Sequence, residues 1–279
     1  MADYENRPVP EGINYSRENP LKEFLLLCVA LAGALAVLLF SLSLAAQKLA
    51  PLIPFSVENR LVEQFSSSLP APAESERAQK IDAYLSELAE SLLSGQKLPE
   101  GFNLQVAYVD SPMTNAFATL GGRVFIMKGL IQEMGSENAL SMVLAHELAH
   151  ILNRDPIVAM GRGVTVSLAL ASLTGLGNSG AADWLIQQMG VATLSGFTRE
   201  QERDADAMAL KMLQARYGNV QGADQIFTLF EGGEPPELFS THPLSSKRIS
   251  AVREFAATHP QAGNAVPLPA FLHEQEAGE

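Results

Sequence analysis

The chain is poor in cysteine and in positive charge. Its single cysteine, Cys28, lies inside an apolar N-terminal stretch, so no intramolecular disulfide can form and any catalytic site must use other side chains. The 19 Lys and Arg residues are outnumbered by 31 Asp and Glu residues, for a formal net charge of −12. This balance argues against a nucleic-acid partner, because neutralising phosphates requires a basic face.

Long apolar runs are also scarce, with one exception near the N terminus. Phe24 to Ala46 holds no charged residue and is long enough, at about 1.5 Å per residue, to cross a hydrocarbon core of roughly 30 Å. We predict a single transmembrane anchor over residues 24–46 in the cytoplasmic membrane. The alternative, a cleaved signal peptide, typically has a shorter apolar part. Three basic residues precede the run and two closely follow it, which slightly favours an extracytoplasmic C-terminal domain.

The rest of the chain divides by composition. Residues 1–23 are polar and contain prolines, so we predict a disordered tail. Residues 47–74 contain four prolines and are interpreted as a linker. We expect a folded domain over 75–258 and an unstructured C-terminal tail over 259–279. The apolar stretch at 164–177 is short for a membrane span and favours a buried or membrane-leaning hairpin.

Within the folded domain, local sequence patterns predict three helices and two strands before and around the motifs. Apolar residues at three-to-four spacing predict an amphipathic helix from Glu76 to Leu93. The sequences "NLQVAYV" and "RVFIM" are typical of strands, the second following a Gly-Gly turn. Ser136 is a plausible N-cap for one helix. Thr198 and Gln201 form a capping-box pattern for another, which ends at Gly218.

The motif "HELAH" carries the chemistry. His146 and His150 are four residues apart, so on a helix they share one face and can bind one metal ion at roughly 2.0–2.1 Å. Glu147 is rotated about 100° from His146 and can act as the base towards a water molecule. The alternative, histidines satisfied by hydrogen bonds in a core, must bury three ionisable groups within five residues at high cost. We therefore predict one zinc ion per chain.

A catalytic zinc site needs a third protein ligand. Glu202, in the capped helix, is our candidate, and Asp206 lies one turn further on the same face. There it can accept the other ring N–H of a ligand histidine and fix its tautomer. A solvated charged helix face is the alternative for "REQERDAD". Glu200, Asp204 and Glu231 remain rival ligands.

With these motifs, the chain resembles the HtpX and CAAX-prenyl-endopeptidase family of membrane-associated gluzincin metallopeptidases. The likeness rests on "HELAH" with "HILNRD", on "RDADA" after Glu202, on "NAFA" before a strand, and on "THPLSSKRI". It covers roughly residues 75–257. The chain departs from HtpX in having a single convincing span, so tethered or secreted members outside the cytoplasm are the closer comparison.

The resemblance implies an α+β, mostly helical, zincin-type endopeptidase domain with a small β-sheet edging the active-site cleft. It implies His146, His150 and Glu202 as ligands, Glu147 as base and Asp206 as their hydrogen-bonding support. His242 or Arg248, in the "THPLSSKRI" loop, is a candidate oxyanion donor. His242 has two further interpretations, a zinc cap in a resting state or a plain surface histidine before Pro243.

Peptide binding is expected along the strand Arg123–Met127, taken as an edge beside the cleft, where an extended substrate adds by backbone hydrogen bonds. An interior strand is the alternative. The expected partners are protein or peptide substrates, and the expected function is envelope protein quality control by a membrane-anchored zinc endopeptidase. Two other readings stay open: a chaperone or assembly factor that keeps the zinc fold without cutting, and an intramembrane enzyme for prenylated peptides, which needs several spans.

Overall fold

The computed structural model describes residues 19–64, 66, 69–163, 196–228, 238, 242–243 and 245–273. Its helices, numbered here in chain order, are α1 Pro20–Leu49, α2 Phe55–Gln64, α3 Glu76–Leu93, α4 Lys128–Glu133, α5 Glu137–Leu152, α6 over 155–163, α7 Arg199–Tyr217, α8 Gln225–Thr228 and α9 Ser246–Thr258. Its strands are β1 Gln105–Val109, β2 Ala116–Thr119 and β3 Arg123–Met127. The predicted mostly helical fold with a small sheet is confirmed. The tail at 1–18, the hairpin at 164–177 and Glu231 lie outside the described residues.

The N-terminal helix α1 is apolar along nearly its whole length. Asn19 caps its start, since its side-chain oxygen accepts from the backbone N–H of Leu21 at 3.1 Å. Among the described residues, α1 and the turn after it form the one segment long and apolar enough to cross a membrane. Contacts divide the chain into a unit that ends at Leu42 and a second unit over Ser43–Glu279.

The sheet has the strand order β1-β3-β2. β1 pairs with β3 in parallel, and β2 pairs with β3 antiparallel through a turn that contains Gly121 and Gly122. The prediction that Arg123–Met127 is an edge strand is therefore wrong, because β3 is central. Its nearly continuous apolar run suits a strand buried on both faces. The edge beside the motif helix is β2.

The main core lies between the sheet and the helices α3, α5 and α7. The predicted apolar stripe of α3 is buried, with Ile81 and Leu85 no more than 1% exposed. Helix α5 is buried almost all round, and each Leu it buries contributes roughly 1.5–3 kcal/mol. The predicted caps form: the Ser136 hydroxyl accepts from Ala139 N at 3.1 Å, and α7 begins with a capping box. These caps fix where α5 and α7 start, and hence which side chains meet between them.

The stretch 47–74 differs from the predicted tether. Helix α2 forms within it and packs on the folded unit, with Phe55, Glu58 and Val62 each no more than 3% exposed. A second apolar cluster, which we call the juxtamembrane cluster, surrounds it: Ala50, Val62, Leu120, Ile157, Val158 and Met160. The prolines at 51 and 54 precede α2, where they are tolerated, and so they do not prevent the helix.

The C-terminal stretch was predicted to be unstructured, but its described residues pack on the domain and include a short helical turn at Ala270–Leu272. The Val266 carbonyl accepts from Glu137 N at 2.8 Å, and Val266 N donates to Asn138 Oδ1 at 2.8 Å. Arg77 donates to the carbonyls of Phe271 and Leu272. Backbone hydrogen bonding, which composition does not reveal, holds this stretch in place.

Candidate metal centre and active site

Helix α5 presents the motif side chains from the centre of the core. His146 is 6% exposed, and Glu147 and His150 are fully buried. The two imidazoles stand one turn apart, with their Nε2 atoms 3.0 Å from each other. The predicted shared face is therefore present, and both Nε2 atoms point to one place.

Helix α7 brings Glu202 to the same place. Its Oε2 lies 3.4 Å from His146 Nε2, and its Oε1 lies 3.5 Å from His150 Nε2. Of the rival ligands, Glu200 and Asp204 are exposed on the other side of α7. The capping box at Thr198 sets this rotation, because it fixes the first turn of the helix that carries Glu202.

His242 joins the cluster from the loop before α9. It is 2% exposed, so the interpretation as a surface histidine is wrong. Its Nδ1 lies 3.0 Å from Glu202 Oε1 and 3.2 Å from His146 Nε2. One ligand atom from each of His146, His150, Glu202 and His242 lies within 4.8 Å of the other three.

The chemistry of this donor set fits zinc. His146 Nδ1 lies 3.0 Å from Asp206 Oδ1, and His150 Nδ1 lies 2.8 Å from Asp155 Oδ2. The hydrogen bond from His150 Nδ1–H to Asp155 turns the lone pair of His150 Nε2 inward, and Asp206, at ion-pair distance from Nδ1, favours the same tautomer of His146. The two Nε2 atoms lie 3.0 Å apart next to a buried carboxylate, so this arrangement requires either a shared proton or a metal cation between them. Imidazole nitrogen and carboxylate oxygen are the ligands of catalytic zinc sites.

The electrostatics also call for a cation. Burial opposes ionisation of Glu202, but its hydrogen bonds with His146, His150 and His242 outweigh this and hold its pKa far below the ordinary value. Burial lowers the pKa of His146, whereas Asp206 and Glu202 raise it, and the result is a pKa of about 10. The carboxylates thus stabilise positive charge at this point, which a metal ion supplies as well as a proton does.

Glu147 is held by the edge strand. Its Oε2 accepts from Ala118 N of β2 at 2.8 Å. Its Oε1 lies 3.5 Å from His242 Nε2 and has no hydrogen-bond partner among the described residues. Burial raises the pKa of Glu147, and the charges of His242 and His146 oppose this shift. One oxygen therefore fixes the carboxylate while the other is available for proton transfer.

Arg248 is buried against the carboxylates of Asp206 and Glu202 and does not face an open cleft. It is 4% exposed, and its Nε and Nη2 donate to the two oxygens of Asp206 at 2.7 and 2.8 Å. Its Nη1 lies 2.7 Å from Glu202 Oε2. Because every guanidinium nitrogen already has a carboxylate partner, Arg248 serves to orient Glu202 and Asp206.

Two residues of the site were not singled out from the sequence. Asp155 follows the motif helix in "HILNRD" and supports His150, and its other oxygen accepts from Gln201. The short spacing between His150 and Asp155 in the sequence could have identified Asp155 as a candidate partner of His150. Phe197 stacks on the His150 ring with centroids 3.9 Å apart, and nothing in the sequence marks it.

A small apolar pocket, with a cavity volume of about 20 Å³, adjoins the metal-facing groups. It is lined by residues of α5 and α8 and by the segments around them, including Met142, Val143, Ile226, Phe227 and Leu238. His146, Glu147 and His242 also line it. A cavity of this size has room for about one water molecule beside the candidate chemistry.

Comparison with known proteins agrees with this geometry. Residues 75–256 match the model of peptidase family M48. The beta-barrel assembly-enhancing protease of Yersinia pestis is 30% identical over 56% of this chain and 36% of that protein. The mitochondrial metalloendopeptidase OMA1 of Schizosaccharomyces pombe is 30% identical over 53% of this chain and 45% of that protein. The metalloprotease LoiP of Escherichia coli K12 is 27% identical over 69% of this chain and 75% of that protein. The chain thus spans less than half the length of the first two relatives.

Proposed function

We propose, from the fact that the chain belongs to peptidase family M48, that it is a zinc-dependent endopeptidase that hydrolyses peptide bonds of proteins. The observation that carries this proposal is the buried cluster of His146, His150, Glu202 and His242 with the half-engaged Glu147 beside it. A cluster that only binds metal has no use for a buried carboxylate with an oxygen left over. Hydrolysis does, because it needs a base for water and an acid for the leaving amine.

In this proposal His146, His150 and Glu202 hold one zinc ion per chain. Zinc bound there supplies Lewis acidity towards the scissile carbonyl and acidifies a water molecule. Glu147 accepts the proton of the attacking water at Oε1 and then delivers it to the nitrogen of the leaving amine. Its other oxygen stays on Ala118 N, so the carboxylate keeps its direction through both transfers.

Three buried groups, Asp206, Arg248 and His242, complete this arrangement. Asp206 holds the tautomer of His146, and Arg248 holds Asp206. His242 faces both Glu202 and Glu147, and this position supports either of its two roles: a donor to the developing oxyanion or a fourth zinc ligand at rest. Both roles place its ring at the reacting centre rather than at the surface.

The substrate strand is assigned to β2 instead of β3. Among the described strands β2 pairs only with β3, so an extended peptide would add to its other edge, which is buried in the unbound chain. Ala118 in β2 contacts Glu147 directly, which would align the backbone of a bound peptide with the base.

The wider setting is also proposed. Residues 24–46 would anchor the chain once in the cytoplasmic membrane, after a short tail, and would hold the peptidase domain of residues 75–258 outside the cytoplasm. The substrates would be misfolded or membrane-associated proteins of the envelope. Support comes from the apolar helix α1 and from relatives named as a beta-barrel assembly-enhancing protease and a mitochondrial metalloendopeptidase. The resemblance to HtpX and the CAAX prenyl endopeptidases remains a finer proposal within family M48.

The test is cleavage of fluorescein-labelled casein by the full chain in detergent, beside Glu147→Gln, with zinc content measured for both. We expect the variant to keep about one zinc ion while its rate falls by about 10²–10⁴-fold, the usual contribution of a general acid–base group. If both proteins bind zinc and neither cuts, the chaperone or assembly role replaces the endopeptidase. If neither binds zinc, the metal centre itself is refuted.

A further inference from the structure

A helix outside the matched peptidase region, α2, holds two segments that lead to the metal centre. Its Glu58 is 3% exposed. Glu58 Oε2 accepts from Gly121 N at 2.8 Å, and Glu58 Oε1 lies 2.7 Å from Arg154 Nη2. One buried carboxylate therefore joins the β2–β3 turn to the loop that follows α5.

Each of the joined segments carries a group of the candidate site. Three residues before Gly121, Ala118 N donates to Glu147 Oε2 at 2.8 Å. Directly after Arg154, Asp155 Oδ2 lies 2.8 Å from His150 Nδ1. A shift of the turn would thus move the support of the base, and a shift of the loop would move the support of a ligand.

Arg154 occupies an unusual backbone conformation. It is the one non-glycine residue in the described ranges with a positive φ, at 65°, a region that a residue with a Cβ adopts only where its surroundings hold it. Here α2 and the turn before it do so. Arg154 Nη2 also donates to the Ile53 carbonyl, and the guanidinium lies 3.9 Å from the ring centroid of Phe55. This backbone conformation directs the Arg154 side chain towards α2 and the next side chain, that of Asp155, towards His150.

Apolar packing makes this connection stiff. The juxtamembrane cluster includes Val62 of α2, Leu120 of the β2–β3 turn and Ile157 of α6. The approach of α2 to the turn is so close that a Cβ on Gly121 would lie 2.4 Å from Asn59 Oδ1. Because packed elements transmit displacement rather than absorb it, a movement of α2 would reach both segments at once.

We propose that Glu58 is a positioning residue for the reaction and that helix α2, which carries it, contributes to catalysis by holding active-site residues in place. Glu58 fixes the β2–β3 turn relative to the loop after α5, and through them it sets the placement of Glu147 relative to His150. This inference rests on the proposed function. It extends the proposed function, because helix α2, next to the proposed membrane anchor, becomes necessary for an active site.

The experiment compares Glu58→Gln with Glu63→Gln in the full chain in detergent. Glu63 lies on the same helix, but its side chain is exposed. The readouts are zinc-dependent casein cleavage, resolved into kcat and KM, and the visible absorption of protein loaded with Co²⁺ alone. For Glu58→Gln we expect kcat to fall about tenfold, as when support of a metal ligand is lost, with KM nearly unchanged and the cobalt bands shifted. Glu63→Gln should match the wild type in all three.

Several outcomes would overturn the inference. Glu58→Gln with a lower Tm but wild-type kcat and cobalt bands would make Glu58 a structural residue only. If Glu58→Gln does not fold, Arg154→Lys takes its place, since Lys keeps the charge but lacks the planar guanidinium whose Nη2 contacts Glu58 and Ile53 and whose face lies over Phe55. Wild-type cobalt bands in Arg154→Lys would then refute the proposal. A wild-type chain that binds no metal instead refutes the proposed function, which separates the two failures.

Discussion

Two buried glutamates, Glu147 and Glu58, occupy similar surroundings and differ in one respect. Each is no more than 3% exposed, and each accepts a backbone N–H at 2.8 Å from the same short stretch, Ala118 for Glu147 and Gly121 for Glu58. The second oxygen of Glu58 pairs with Arg154 at 2.7 Å. The second oxygen of Glu147 has no hydrogen-bond partner among the described residues.

This difference distinguishes a carboxylate that can take part in proton transfer from one that only holds other residues in place. Burial raises the pKa of Glu58 as it raises that of Glu147, but a carboxylate with both oxygens engaged has no oxygen left to accept a proton from water. A carboxylate with one oxygen held and one available is oriented and still reactive. The comparison predicts a graded series of effects on activity, largest at Glu147, and smaller as a carboxylate's partners lie further from the metal-facing groups.

Asp155 should follow Glu147 in this series. Both of its oxygens are engaged, but one of them holds His150 Nδ1 at 2.8 Å. We expect Asp155→Asn to weaken zinc affinity by about 10–100-fold, because a neutral partner makes His150 a weaker ligand. Competition with a chelator of known zinc affinity measures this. Zinc affinity equal to that of the wild type would break the comparison, since support of a ligand would then have no effect.

Glu137 should show the smallest effect, on stability alone. Burial opposes its ionisation, but hydrogen bonds from Tyr217, Tyr84 and Arg216 outweigh this and lower the pKa of Glu137. A lowered folded-state pKa stabilises the protein above the unfolded value of about 4.3, and this stabilisation is lost as pH falls through the folded-state pKa. Glu137→Gln should therefore lower Tm at pH 7, keep its activity, and approach the wild-type Tm in acid.

Thermal unfolding at a series of pH values down to the acid range checks this prediction. A Tm difference between wild type and Glu137→Gln that stays constant at every pH would contradict it. A loss of casein cleavage in the folded variant would show that Glu137 affects activity as well as stability, contrary to this prediction.

The parts of the structure that local sequence patterns control were predictable. The period of α3, the Ser136 cap and the capping box at Thr198 are each encoded within a few neighbouring residues. The "HELAH" spacing also placed three site residues on one helix. The sequence left Glu200, Asp204 and Glu231 open as rivals to Glu202, and it is the placement of α7 that leaves Glu200 and Asp204 exposed on its other side.

Features that depend on contacts distant in sequence were not predictable. β3 is central because β1 adds to it from about twenty residues upstream, a pairing that no local pattern specifies. The prolines beside α2 led to the prediction of a linker in this stretch. The contacts that stabilise the helix come from Gly121 and Arg154, which are distant in sequence. The burial of His242 likewise depends on α5 and α7 rather than on its neighbours in the chain.

We propose that α5 and α7 build one zinc site from imidazole and carboxylate. Zinc K-edge X-ray absorption of the full chain in detergent tests this, with metal content determined on the same sample and His150→Ala as the control. We expect about one zinc ion per chain, with nitrogen and oxygen ligands at about 2.0–2.2 Å that include at least two imidazoles, and loss of that signal in His150→Ala. A chain that retains no zinc, or zinc whose coordination is unchanged in His150→Ala, would contradict it.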